Sequence, residues 1–87
     1  MQTRVAVMGI IVEQGGDTEH LNAVLHEYAR FIIGRMGIPY REKGISVISI
    51  AIDAPQDAIS ALAGKIGKLP GVGVKTAYSN TVFESND

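Results

Sequence analysis

Eighty-seven residues, 46% hydrophobic and 20% charged, suit one folded domain and exclude a disordered chain. The net charge of −1, from 8 basic and 9 acidic residues, gives no general attraction to nucleic acid or anionic lipid. With no cysteine, the chain has no disulfides, thiolate metal sites or cysteine nucleophiles.

The first element is predicted over Arg4 to Glu13, rich in Val and Ile. Its eight-residue apolar run, Val5 to Val12, is far shorter than the roughly 18–20 residues that span a bilayer. No small-residue cleavage pattern follows it, so a soluble, cytoplasmic chain without membrane contact is expected. Alternation puts Val5, Val7 and Ile11 on one side and Ala6, Met8, Ile10 and Val12 on the other. A strand apolar on both sides belongs in the middle of a sheet.

Gln14-Gly15-Gly16-Asp17 breaks this strand, and Asp17 or Thr18 can cap a helix with Glu19 near its positive end. Leu21, Val24, Leu25, Tyr28, Phe31 and Ile32 recur at helical spacing, which predicts a helix ending near residues 30–33. Ile32 to Arg41 reads as a short strand, and Pro39 confines it to a sheet edge or a bulge. Arg41-Glu42-Lys43-Gly44 is a turn in which Gly44 can take positive φ.

Ile45 to Asp53 is the second strong strand, with Ile48, Ile50 and Ile52 on one side and Ile45, Val47, Ser49 and Ala51 on the other. Pro55 suits a helix start, and Ile59, Leu62, Ala63, Ile66 and Leu69 form the second helical stripe. Pro70-Gly71 stops it, Val72 to Ser79 alternates as a last strand, and the tail at 81–87 is expected to fray. Residues 1–80 then form a single α+β domain of β-α-β-β-α-β order, ferredoxin-like, with an antiparallel four-stranded sheet and two helices on one face. That topology leaves Val5, Val7, Ile11, Val47 and Ala51 on an uncovered face. A homo-oligomer, dimer or tetramer, is the simplest cover for it. A domain this small buries only about 60–65% of its unfolded surface, so such cover also adds stability.

The segments VAVMGIIVE, LHEYARFIIGRMGIPYREKGISVISIAIDAP and ISALAGKIGKLPGVGVKTAYS resemble the iron-only hydrogenase system regulator family, small stand-alone ACT-like domains, over Arg4 to Ser79. RMGIPYREKGISVIS is the most specific part. The resemblance implies a ferredoxin-like fold and a regulatory link to that system, with a hydrogenase-system protein as a possible partner. More distantly, the chain resembles the regulatory domain of nickel-responsive repressors.

The nickel-binding relatives place several His and a Cys on their second and third strands, where this chain has neither. Its histidines, His20 and His26, are six apart on a helix, about 240° of rotation, so no metal or other cofactor is assigned. Acylphosphatases share the element order and carry a V-x-G-V-x-F-R phosphate loop. Here the same register ends in Glu13, whose carboxylate repels an anion. No catalytic triad or carboxylate pair assembles, so catalysis is not expected.

Two stretches remain as binding candidates. ACT-like domains bind effectors at the loop after the first strand, here Gly15, Gly16 and Asp17, where backbone N–H groups and a helix start suit a small anion. The stretch GRMGIPYREKG at 34–44 frames Tyr40 with Arg35, Arg41 and Lys43. Alternation sets Arg35 and Arg41 on one side of the strand with Lys43 beyond, an arrangement suited to a carboxylate, phosphate or acidic partner. The favoured reading is a non-enzymatic, oligomeric regulatory domain that senses a small anion. The alternative is a scaffold docking a partner through the 34–44 hairpin, and DNA contact is a weaker third reading because the patch is small.

Overall fold

The computed structural model describes residues 1–84. Four strands and two helices follow in the order β1 (Gln2–Val12), α1 (Thr18–Glu27), β2 (Ile32–Tyr40), β3 (Ile45–Ala54), α2 (Gln56–Gly67) and β4 (Val72–Glu84). The strands form one antiparallel sheet in the order β2-β3-β1-β4. This is the expected ferredoxin-like α+β fold: the two most apolar strands are central, and the strand with Pro39 lies at an edge. No helix among the described residues is long and apolar enough to cross a membrane.

Both helices pack on one sheet face. Met8, Ile10, Ile50 and Ile52 project from the sheet and meet Leu21 and Leu25 of α1 and Ile59, Leu62 and Ile66 of α2, all essentially inaccessible to solvent. These are the stripes that the sequence periodicities select. Burial of such side chains, at roughly 1.5–3 kcal/mol each, is the main force holding the layers together.

Three boundaries differ from expectation. Helix α1 stops at Glu27, where Tyr28 donates its N–H to carbonyls of the last turn and a 3-10 turn over Ala29–Phe31 leads into β2. The apolar stripe runs on through Tyr28, Phe31 and Ile32, which pack against the core, so its periodicity outlasts the helix. In β2 the register shifts between Ile32 and Gly34, leaving Ile33 unpaired and exposed.

The third difference is β4, which runs to Glu84 and not Ser79, so residues 82–84 pair with β1; residues 85–87 of the expected tail lie outside the described residues. The pairs Arg4–Val82, Thr3–Phe83 and Gln2–Glu84 continue the ladder past an irregularity opposite Arg4 and Ala6. Arg4 holds that irregularity in place. Its guanidinium lies 4.6 Å from the centre of the Tyr78 ring, donates to the Ser79 carbonyl at 2.6 Å, and donates to Oε1 of Gln56 at 2.8 Å. One side chain thus ties β4 to the start of α2.

Candidate functional site

The sheet face opposite the helices is uncovered, and antiparallel register shows which side chains share it. One row across β2, β3 and β1 is Ile38, Val47 and Ile11, and the next is Met36, Ser49 and Gly9. Gly34, Ala51 and Val7 follow, while Tyr40 pairs with Ile45 at one end and Asp53 with Val5 at the other. Strand β4 adds Gly73, Lys75 and Ala77 opposite Ile11, Gly9 and Val7. Met36 is 57% exposed, Ile38 49% and Val7 47%, values unusual for apolar side chains on one continuous surface.

The five residues expected here, Val5, Val7, Ile11, Val47 and Ala51, do share this face, with Val5 and Ala51 half-buried between their neighbours. Sequence reasoning overlooked Met36, Ile38 and Tyr40 as members. Their signal was present, since every second residue of GRMGIPY is apolar. It was masked by Gly37 and Pro39 and by the charges that follow.

The β1–α1 loop sits at the end of the sheet beside two other connections. Glu13 donates its N–H to the Gly71 carbonyl at 2.7 Å and Asp17 donates to Pro70 at 3.1 Å, while Gly16 and Thr18 donate to the carbonyls of Glu13 and Gly16. A Cβ on Gly44 would lie 3.3 Å from the Gln14 side chain, so the 41–44 turn borders the same loop. Gly16 serves this packing. A Cβ there would approach the Gly71 carbonyl to 2.8 Å and that of Glu13 to 2.9 Å. Gly15, at φ 80°, has open space around it.

Asp17 caps α1. Its Oδ1 accepts the His20 N–H at 3.0 Å, and its Oδ2 lies 2.6 Å from His20 Nδ1. The backbone hydrogen bond, followed by the His20 ring, holds the Asp17 carboxyl below the ordinary carboxylate range. Its own carboxylate therefore stands where a bound anion would be expected, and four of the loop's N–H groups already have partners. A carboxyl lowered by folding adds stability above its unfolded value of about 3.9, and that contribution is lost as pH falls through the lower folded value. The melting-temperature gap between wild type and Asp17→Asn is therefore expected to be full at pH 6 and to close below about pH 4. A gap constant from pH 6 to pH 2 would show that the charge contributes nothing.

The basic stretch does not converge as expected. Arg35 pairs in register with Ile50 on the helix-covered side and donates to Oδ1 of Asn22 on α1 at 3.0 Å. Arg41 and Lys43 belong to a 3-10 turn beyond the strand, where Tyr40 donates its hydroxyl to Glu42 at 3.4 Å. At about 3.3 Å per residue, Arg35 and Arg41 are roughly 20 Å apart along the chain, too far to grip one carboxylate or phosphate. Sharing a side of a strand does not bring two residues together. What the structure does join is the turn at 41–44, the loop at 13–17 and the Tyr40 end of the open face.

Residues 4–76 match the family model TM1266-like, described as "Iron-only hydrogenase system regulator, putative". The chain belongs to this family. It is also similar to the solved structure of the uncharacterized protein TM1266 from Thermotoga maritima, at 35% identity and a TM-score of 0.80, covering 87% of this chain and 96% of that one. A formyltetrahydrofolate deformylase from Pseudomonas putida KT2440 matches at 14% identity and a TM-score of 0.63, covering 88% of this chain and 29% of the deformylase. At that identity the likeness is one of fold alone. A comparison with curated proteins finds no match.

Among the described residues, no three His, Asp or Glu side chains converge to form a metal site. His20 is engaged by Asp17, and Lys65 bonds Glu27 at 3.1 Å and lies 5.1 Å from the centre of the Tyr28 ring, tying the two helices together. The polar contacts among the described residues are caps and clasps between elements, and exposed apolar side chains gather on the open sheet face.

Proposed function

We propose that the chain is a non-enzymatic, ACT-like regulatory domain of the iron-only hydrogenase system that works by self-association through its open sheet face. The observation carrying this reading is the continuous apolar surface of Val7, Ile11, Met36, Ile38, Tyr40 and Val47 on a sheet whose other face carries the two helices and the buried core. Family membership supports the regulatory role. Nothing comparable favours a small anionic effector at the 13–17 loop, where the N–H groups of Glu13, Gly16 and Asp17 and, at the helix start, those of Thr18 and His20 already have partners.

A second reading shares the same surface. Tyr40 is on the open face and leads directly into the exposed turn with Arg41 and Lys43, so an acidic partner protein of the hydrogenase system could dock along that end. Sedimentation equilibrium of the purified chain at micromolar concentration tests the first reading, and a homodimer or dimer of dimers is expected. A species that stays monomeric to the highest concentration rules self-association out. A thermal-shift series with small carboxylates and phosphates tests effector sensing, since a ligand at 100 times its Kd adds about 2.7 kcal/mol.

A further inference from the structure

Among the described strand residues of the open face, the charged side chains are Asp53 on β3 and Lys75 on β4. Both are exposed, and among the described residues neither has an ion-pair partner. Strand spacing near 4.8 Å and a rise near 3.4 Å per residue put them about 17 Å apart, with Val7 midway between. They cannot reach each other within one chain. A single acid and a single base on an apolar surface are the minimum for self-recognition, because a two-fold operation that carries one onto the other makes two opposite-charge pairs at once.

Resting on self-association through this face, the geometry points to a two-fold dimer in which Lys75 of each copy meets Asp53 of the other. The axis that exchanges these positions is the line midway between them in the plane of the sheet. On the register grid that line passes over Val7 and also over Met36, in the row of Ser49 and Gly9. Two bulky apolar side chains thus meet their own counterparts on the axis. Between them lie Gly9, Ser49 and Ala51, small enough for the backbones to approach. The inclination of the line to the strands sets the two sheets in the near-orthogonal arrangement. Tyr40 then falls at the rim, which leaves the 41–44 turn open to a further partner.

A charge-swap cycle tests this. Asp53→Lys and Lys75→Asp are each expected to raise the dimer Kd at least tenfold, and the double swap to restore it to within about threefold, since pairing is reversed but kept. Circular dichroism confirms folding of each variant, which surface positions permit. Crosslinking gives a second readout: Met36→Cys, in a chain with no native cysteine, is expected to be joined across the axis by a short bismaleimide, and Lys43→Cys is not. If single swaps leave Kd unchanged, or the double swap stays as weak as the singles, the pairing is wrong although self-association stands. If the wild type sediments as a monomer, both fall together.

Discussion

Val7→Asp is expected to turn the assembled protein into a folded monomer. Val7 is 47% exposed in the single chain and is flanked in its row by Ala51 and Ala77, so a carboxylate there remains hydrated and the fold is untouched. In the assembly the same carboxylate is covered, and an unpaired buried charge costs several kcal/mol. A two-fold axis over Val7 places two such charges side by side, doubling the penalty and adding their repulsion. A loss of about 4 kcal/mol is roughly a thousandfold in Kd, enough to leave monomer at any practical concentration. Light scattering after gel filtration reads the mass, and the melting temperature of the monomer checks the fold. A Val7→Asp variant that still elutes as a dimer would remove the open face from the interface.

The second large effect separates two glycines that look alike in the sequence. Gly16→Ala drives a Cβ to 2.7 Å from Val12 Cγ1 and below 3 Å from the carbonyls of Gly71 and Glu13, which accept the N–H groups of Glu13 and Gly16. Neither strand can yield without breaking the junction of β1, α1 and β4. The expected cost is about 2 kcal/mol or more, a melting point lower by roughly 8–16 °C in a domain of this size. Gly64→Ala has the opposite sign. Gly64 is in α2 with nothing within 4 Å of its Cβ position, so alanine is expected to stabilise by about 0.5–1 kcal/mol. Chemical denaturation of the two variants decides the matter. Equal effects would mean that the close approach of Gly16 and Gly71 is not a constraint.

Much of this architecture follows from periodicity. Alternation in VAVMGIIV and ISVISIAI assigns each residue to a side of its strand, because a strand has period two whatever lies beside it. The stripes Leu21–Leu25 and Ile59–Leu62–Ile66 pick out the buried helix faces for the same local reason. Pro39 alone is enough to send β2 to an edge, since it cannot donate to a ladder. These local rules suffice for the element order, the central strands, the core and the identity of the open face.

Distance and partnership are non-local, and they arise only when distant segments pack together. Asp17 finds the carbonyl of Pro70, and Glu13 that of Gly71, only once β4 lies beside β1. That junction engages the N–H groups of Glu13, Gly16 and Asp17 and gives Gly16 a packing role. Arg35 finds Asn22 across the β2–α1 boundary, while Arg41 departs into a 3-10 turn, so a cluster in sequence becomes two separate sites in space. Val82, Phe83 and Glu84 pair with Arg4, Thr3 and Gln2 at the opposite end of the chain, a contact no local pattern encodes. Side-chain direction is a property of the strand itself, whereas what a side chain or peptide group meets depends on segments brought beside it by folding.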